Sequence, residues 1–373
     1  MIQYGLDRIG TFSSLFKGKR LGLAITGSSV NSSFSLSYEV VKSQYHVVAL
    51  YGPEHGFRSN YSAGANVPDH FELYDGIPVH SLYSKESQHL AKEMVQDVDT
   101  IVFDIQDLGL RFYTYIATLK NLLQDCALFQ KELVVLDRPN PLGGEVVEGN
   151  ILQPDFFSFV GPYSLPVRYG LTIGELALFL NDRLGYGCNL TVIPLVGWDR
   201  SSLFCALSRP WMMTSPAIGH FEGALLYGGM CFLEGTNISE GRGTSCPFEL
   251  IGAPFIDAEK LCKASNDLHL DAVAFTPVYF NPTADKYAGE LCNGLYAHVL
   301  DPQAFRPVET AIRLISLIAR MYPDDFKILP ALEKLLGIEF PETIINDCES
   351  VLARWHQESQ VFAKEKLNYH LYR

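Results

Sequence analysis

Four short apolar runs, each closing on a polar turn, constrain the first half of this chain more than anything else in it. They are residues 21–25 (Leu-Gly-Leu-Ala-Ile), 47–51 (Val-Val-Ala-Leu-Tyr), 100–104 (Thr-Ile-Val-Phe-Asp) and 133–137 (Leu-Val-Val-Leu-Asp). A strand with one wet face alternates apolar and polar side chains, whereas a run without alternation is buried on both faces. Residues 38–43 are helix-compatible and residues 114–129 have helical periodicity, so strands and helices alternate. That pattern specifies an α/β fold built on a parallel sheet covered on both sides.

The pattern continues with a helix over 171–180, entered at Thr172 with Glu175 three residues later as a capping box, and a strand over 190–195. A chain of 373 residues is long for one core. The turn-rich stretch around Ser215-Pro216 and Gly219 places a boundary near 220, giving domains 1–219 and 220–373. The second domain offers strands at 272–275 and 296–299, an amphipathic helix over 307–321 and a terminal helix over 344–364.

Composition narrows the function. A formal charge of −13 argues against nucleic acid and anionic membrane surfaces, which need clustered cations. It leaves room for a small anion held by a local cluster in a cleft. No apolar run reaches bilayer length and no leader precedes the first folded-looking residues, so a cytoplasmic location is expected. The eight cysteines form no CxxC pair or metal-finger spacing, and small buried hydrophobes in a reducing compartment account for them.

In open parallel sheets ligands bind beyond the carboxyl ends of the strands, and three polar clusters sit there. The first is Glu54-His55-Gly56. A carboxyl group pinned between Pro53 and Gly56 faces a crevice with few hydrogen-bond partners, which raises its pKa and suits a general acid. His55 is placed to meet a substrate or orient a partner. The second is Asp104-Ile105-Gln106-Asp107 with Arg111 and Tyr113. Asp104 ends a buried strand and needs a partner, for which Arg111 is nearest in sequence. Gln106 and Asp107 have the reach to bind sugar hydroxyls, and Tyr113 or Tyr115 the face to stack on a ring. The third is Asp137-Arg138-Pro139-Asn140-Pro141, whose prolines pin the loop around Asn140. Arg138 and Arg168 are candidate carboxylate clamps, or structural arginines paired to Asp137 or Glu148.

In the second domain Glu234-Gly-Thr-Asn237-Ile-Ser-Glu240-Gly-Arg242-Gly-Thr244 makes a dense polar loop whose glycines imply close backbone approach. It fits neither phosphate-binding fingerprint, and no nucleophile elbow occurs. Asp104 and Asp107 could hold a divalent ion as in phosphotransfer enzymes, but supplementary ligands are not evident; no metal and no cofactor are expected.

These motifs resemble the exo-β-N-acetylmuramidases of the NamZ type, formerly domain of unknown function 1343 and now glycoside hydrolase family 171. The resemblance is carried by Tyr51-Gly-Pro-Glu-His-Gly-Phe-Arg58, Val102-Phe-Asp-Ile-Gln-Asp107, Arg111-Phe-Tyr-Thr-Tyr-Ile116, Leu136-Asp-Arg-Pro-Asn-Pro-Leu142, the 234–244 loop and Pro247-Phe-Glu-Leu-Ile-Gly-Ala-Pro254. It covers nearly the whole chain. It implies a Rossmann-like N-terminal domain, a smaller α/β C-terminal domain and an active site in the cleft between them. It also implies release of N-acetylmuramic acid from non-reducing ends of peptidoglycan fragments, with Glu54 at the position of the catalytic carboxylate.

Three positions depart from the family pattern. Gly27 follows Thr26 where Asn is usual, Ala217 stands for Asn, and Tyr169 replaces His. The lactyl carboxylate of the expected sugar requires local cations, for which Arg138, Arg168 and Arg242 are the candidates. Glycoside hydrolysis also needs a second carboxylate or the substrate's own acetamido group; Glu240 and Asp107 are the candidates. Two other readings use the same residues: a binding protein for a muropeptide or other acidic sugar without turnover, and a metal-dependent phosphoesterase centred on Asp104 and Asp107. Oligomeric state is not readable from the chain.

Overall fold

The computed structural model describes residues 2–61, 64, 72–84 and 87–373. Its larger sheet has seven strands: β1 (Arg20–Ile25), β2 (His46–Gly52), β3 (Glu72–Tyr74), β4 (Ile77–Ser81), β5 (Thr100–Asp104), β6 (Glu132–Leu136) and β7 (Asn189–Ile193). Their order is β3-β4-β2-β1-β5-β6-β7. All neighbours run parallel except β3 and β4. All five positions of β5 are buried, as are all but the first of β1 and β6. Ile101, Phe103, Leu133 and Val135 face one apolar layer, and Leu21, Leu23, Val102 and Val134 the other. Two covered faces are why these runs lack alternation.

The first layer is roofed by helices Tyr115–Leu128 and Ile173–Leu184. The second helix starts as its sequence predicts, with the Thr172 hydroxyl accepting from Glu175 N and Glu175 reaching back to Thr172 N. The chain runs outward from β1 to β2 and β4, then returns to β5 on the other side of β1. The topological switch, where such sheets usually bind ligands, therefore lies between β1 and β5.

After residue 220 a smaller antiparallel sheet forms from β8 (Leu250–Ala253), β9 (Val273–Phe280) and β10 (Cys292–Val299), in the order β8-β10-β9. Helix Phe221–Met230 packs on helix Pro307–Met321, and a Cβ at Gly229 would stand 1.9 Å from the Pro307 carbonyl oxygen. Only glycine permits that approach. The expected terminal helix is broken in two, Thr343–Asn346 and Cys348–Glu365, because Asp347 caps the second piece through Ser350 N at 3.2 Å.

The final residues return to the first sheet. Leu371 N donates to Glu175 at 2.8 Å, Arg200 N to the Arg373 carbonyl at 3.0 Å, and the Tyr372 hydroxyl to Asp137. All eight cysteines are free thiols, five of them buried. Among the described residues no helix is long and apolar enough to cross a membrane.

Candidate active site

A cleft of about 970 Å³ opens between the exits of β2 and β4 and the second half of the chain. Glu54, His55, Tyr83, Tyr113, Thr114, Glu234 and Arg242 line it together with aromatic side chains. Glu54 arrives there through a tight turn. Gly56 N donates to the Pro53 carbonyl at 2.9 Å, and His55 and Gly56 both adopt positive φ, at 71° and 75°. A non-glycine residue in that region costs roughly 1–3 kcal/mol and is held only by its surroundings. His55 is held by Nδ1, 2.7 Å from the Tyr61 carbonyl. Gly52 is required as well, since a Cβ there would meet Phe57 N at 2.6 Å.

Glu54 is buried and well supplied with partners, contrary to the expectation of few. Gly64 N donates to Oε1 at 2.7 Å and the Thr114 hydroxyl to Oε2 at 2.5 Å. The Tyr83 phenol sits beside the same carboxylate and senses its charge. Burial first, and then Glu54, push Tyr83 up to about 12, so it remains a neutral donor. His55 is lowered, chiefly by burial, with Arg242 adding to the effect and Glu54 opposing it. A neutral imidazole beside the carboxylate follows.

Tyr113 and the second half of the chain supply the opposite wall. Tyr113, Tyr227 and Phe248 form an edge-to-face series with centroid distances of 6.1 and 4.7 Å. The Arg242 guanidinium lies 5.1 Å from the Phe248 ring centroid and pairs with Glu234 at 2.7 Å. Sugar rings bury on aromatic faces and orient by polar groups, and this cleft provides both. Ala217, one departure from the family pattern, also lines it.

Of the residues expected from sequence, the cleft gathers Glu54, His55, Tyr113 and Arg242. The others are engaged elsewhere. Asp104 pairs with Arg138, not Arg111, at 2.6 and 2.9 Å, both partners being essentially inaccessible. Gln106 donates to the Pro139 carbonyl at 3.0 Å, and Gln106 and Arg138 instead line a small separate hollow. Asp107 accepts from Gly109 N at 2.6 Å and from the Tyr169 hydroxyl, which is how the second departure is used. Burial raises Asp107 to about 6. The third departure, Gly27, packs against the Arg58 backbone, where a Cβ would come within 2.9 Å.

Among the described residues Arg111 finds no carboxylate partner in hydrogen-bonding range. Its guanidinium donates to the carbonyls of Asn150, Leu165, Leu335 and Leu336 at 2.8–2.9 Å, and burial lowers it to about 9. Asn140 bridges Leu171 O and Leu142 N at 2.9 Å each, and Arg168 is buried against the Leu142 carbonyl. Asn237 ties its loop to Asp325 and Lys327. Glu240 is 1% exposed, behind Arg242, and pairs with Lys286 at 2.9 Å.

Sequence reasoning missed Thr114, Tyr83 and Glu234. Thr114 and Glu234 lie inside motifs already singled out, but their hydroxyl and carboxylate gain meaning only from what faces them.

Both oxygens of Asp104 are occupied by Arg138, so it is not free to coordinate a cation, and the geometry gives the phosphoesterase reading no support. Among the described residues no group of three His, Cys, Asp or Glu side chains could hold a metal.

The comparisons agree along the whole chain. Residues 21–222 match the family described as exo-β-N-acetylmuramidase NamZ, N-terminal, and residues 225–372 its C-terminal counterpart. Peptidoglycan β-N-acetylmuramidase NamZ of Bacillus subtilis (strain 168) is 38% identical, the match spanning 100% of this chain and 91% of that protein. Two crystal structures of DUF1343 family proteins from Bacteroides fragilis superpose with TM-scores of 0.91 and 0.80, at 32% and 25% identity. Each match covers 100% of this chain and 99% of the other.

Proposed function

The chain belongs to the exo-β-N-acetylmuramidase NamZ family, and from that premise we propose that it hydrolyses the glycosidic bond of N-acetylmuramic acid at the non-reducing ends of peptidoglycan fragments. The observation that carries the reading is the setting of Glu54. It is a carboxylate delivered to a sugar-sized cleft by a turn that holds His55 at positive φ, and fixed there by Gly64 and Thr114 with Tyr83 beside it.

Glu54 transfers the proton between enzyme and glycosidic oxygen. Its donors fix the rotamer, so proton transfer starts from a defined geometry. Neutral His55 adds a hydrogen-bonding group without a competing charge. The aromatic wall receives the sugar ring, and Arg242 receives the acidic substituent of the sugar.

The experiment is a chromogenic N-acetylmuramide assay on the wild type and on Glu54→Gln. Hydrolysis by the wild type and its loss in the variant are expected. Tight binding with no product from the wild type would instead support a sugar-binding protein and overturn the enzymatic reading.

A further inference from the structure

Arg242 is the one Lys or Arg among the described residues lining the cleft, whose walls also contribute Glu54, Glu234 and Asp285. Three carboxylates and one guanidinium make a poor receptor for another anion, because the added charge meets net repulsion at short range. The reading of the cleft as a site for a carboxylate-bearing sugar therefore needs a way to admit that charge.

The pairing around Arg242 supplies one. Glu240 and Glu234 share this guanidinium unequally. Glu240 lies 3.4 Å from Arg242 Nε and also holds Lys286 at 2.9 Å. Lys286 is fixed in turn by the carbonyls of Leu233 and Ile238 at 2.7 and 2.9 Å. Glu240 thus keeps a cation whatever happens to Arg242. Glu234 pairs with Arg242 Nη2 at 2.7 Å and has no other side-chain partner in hydrogen-bonding range among the described residues.

The remaining guanidinium nitrogen, Nη1, has no partner among the described residues, and the Arg242 side chain is 20% exposed. The ring of Phe248 backs it. An anion entering the cleft meets this cation in direct competition with Glu234.

We propose that Arg242 and Glu234 form a proton-coupled receptor for the acidic group of the sugar. The incoming carboxylate replaces Glu234 on Arg242, and Glu234 takes one proton from solvent. One ion pair is exchanged for another, and the added negative charge is cancelled by the proton, so the net charge of the site is unchanged.

The groups facing Glu234 are compatible with this exchange. They are Arg242, Glu240 and Lys286, with Tyr227 and Cys231 on the remaining side. Burial holds Tyr227 and Cys231 well above their ordinary values, so both stay neutral. Burial also raises Glu234, against the opposing pull of Arg242. Removing that pull favours the protonated form further. His55, the other group that senses Arg242, is lowered and gives no compensating charge.

The test is calorimetric titration of the full chain with N-acetylmuramic acid at about pH 6, in buffers of different ionisation enthalpy. About one proton taken up per sugar is expected, and none with N-acetylglucosamine, which lacks the carboxylate. Affinity for the acid should fall roughly tenfold per pH unit above the Glu234 pKa, with no such slope for the neutral sugar. Glu234→Gln should bind the acid without proton uptake.

Binding of the acid without uptake, equal uptake with both sugars, or uptake that persists in Glu234→Gln would overturn the proposal. Should that variant not fold, the two sugars and the pH slope on the wild type still decide. A protein that hydrolyses the chromogenic muramide yet takes up no proton defeats this inference alone. One that neither hydrolyses nor binds defeats the underlying reading as well.

Discussion

The exits of β1, β5 and β6 and the exits of β2 and β4 carry similar residue types to opposite ends. At the first, the topological switch point, Asp104, Arg138, Gln106 and Asn140 satisfy one another and the local backbone, leaving only a small hollow. At the second, Glu54 is fixed by partners yet borders, with Arg242 of the second half of the chain, a cleft large enough for a sugar. The lesson is that polar residues at strand ends do not by themselves make a site. What separates the two regions is whether hydrogen-bonding capacity is used up internally or held ready beside open volume.

Substitutions that would break this contrast begin with Glu54→Gln. Turnover of the chromogenic muramide should fall by about 10²- to 10⁴-fold, with the melting temperature near that of the wild type. In the closed region Arg138→Met leaves Asp104 buried without a counter-charge. Urea denaturation should show a loss of about 3–5 kcal/mol, while activity per folded molecule is retained; a stable but inactive Arg138→Met would reverse the roles given to the two regions.

Thr114→Val removes one donor from Glu54. A hydrogen bond to a charged group contributes about 1.5–3 kcal/mol to stability, so thermal melts should show a loss of that order, and the loosened Glu54 rotamer should lower kcat/KM by roughly 10- to 100-fold in steady-state kinetics. The smallest effect on turnover belongs to Asp107, raised by burial to about 6. Its unfolded counterpart titrates near about 4, so the folded state holds the extra proton between these values. The stability it contributes is complete at low pH and is lost as pH rises through about 6. Asp107→Asn should flatten the decline in unfolding free energy, read by urea denaturation between about pH 4 and 7, by about 2–3 kcal/mol.

The larger sheet was readable because double coverage leaves an unmistakable trace, and the helix at Thr172 because its cap is a local pattern. Helix Phe221–Met230 was not, since it is apolar on every side and holds three glycines, the signature of neither an amphipathic helix nor a strand. β9 runs five residues past its expected end, through Pro277, which sequence reading takes as a breaker but an edge strand tolerates. That Glu54 borders the cleft could be anticipated because a turn and a motif both single it out. The arginines could not be sorted: proximity in sequence favoured Arg111 for Asp104, while the parallel ladder between β5 and β6 delivers Arg138 from 34 positions away. Glu234 was hidden for the same reason, since its importance comes from an arginine eight residues on and a cavity assembled from both halves.

The return of residues 371–373 to Glu175, Arg200 and Asp137 has a consequence for biosynthesis. A ribosome releases the seven strands of the large sheet long before it releases Tyr372. The nascent first half must therefore wait, with part of its surface uncovered, until residues 371–373 emerge. Contacts of such long sequence separation form slowly and expose the waiting intermediate to aggregation, so a fragment ending near residue 220 would be left permanently in that unfinished condition.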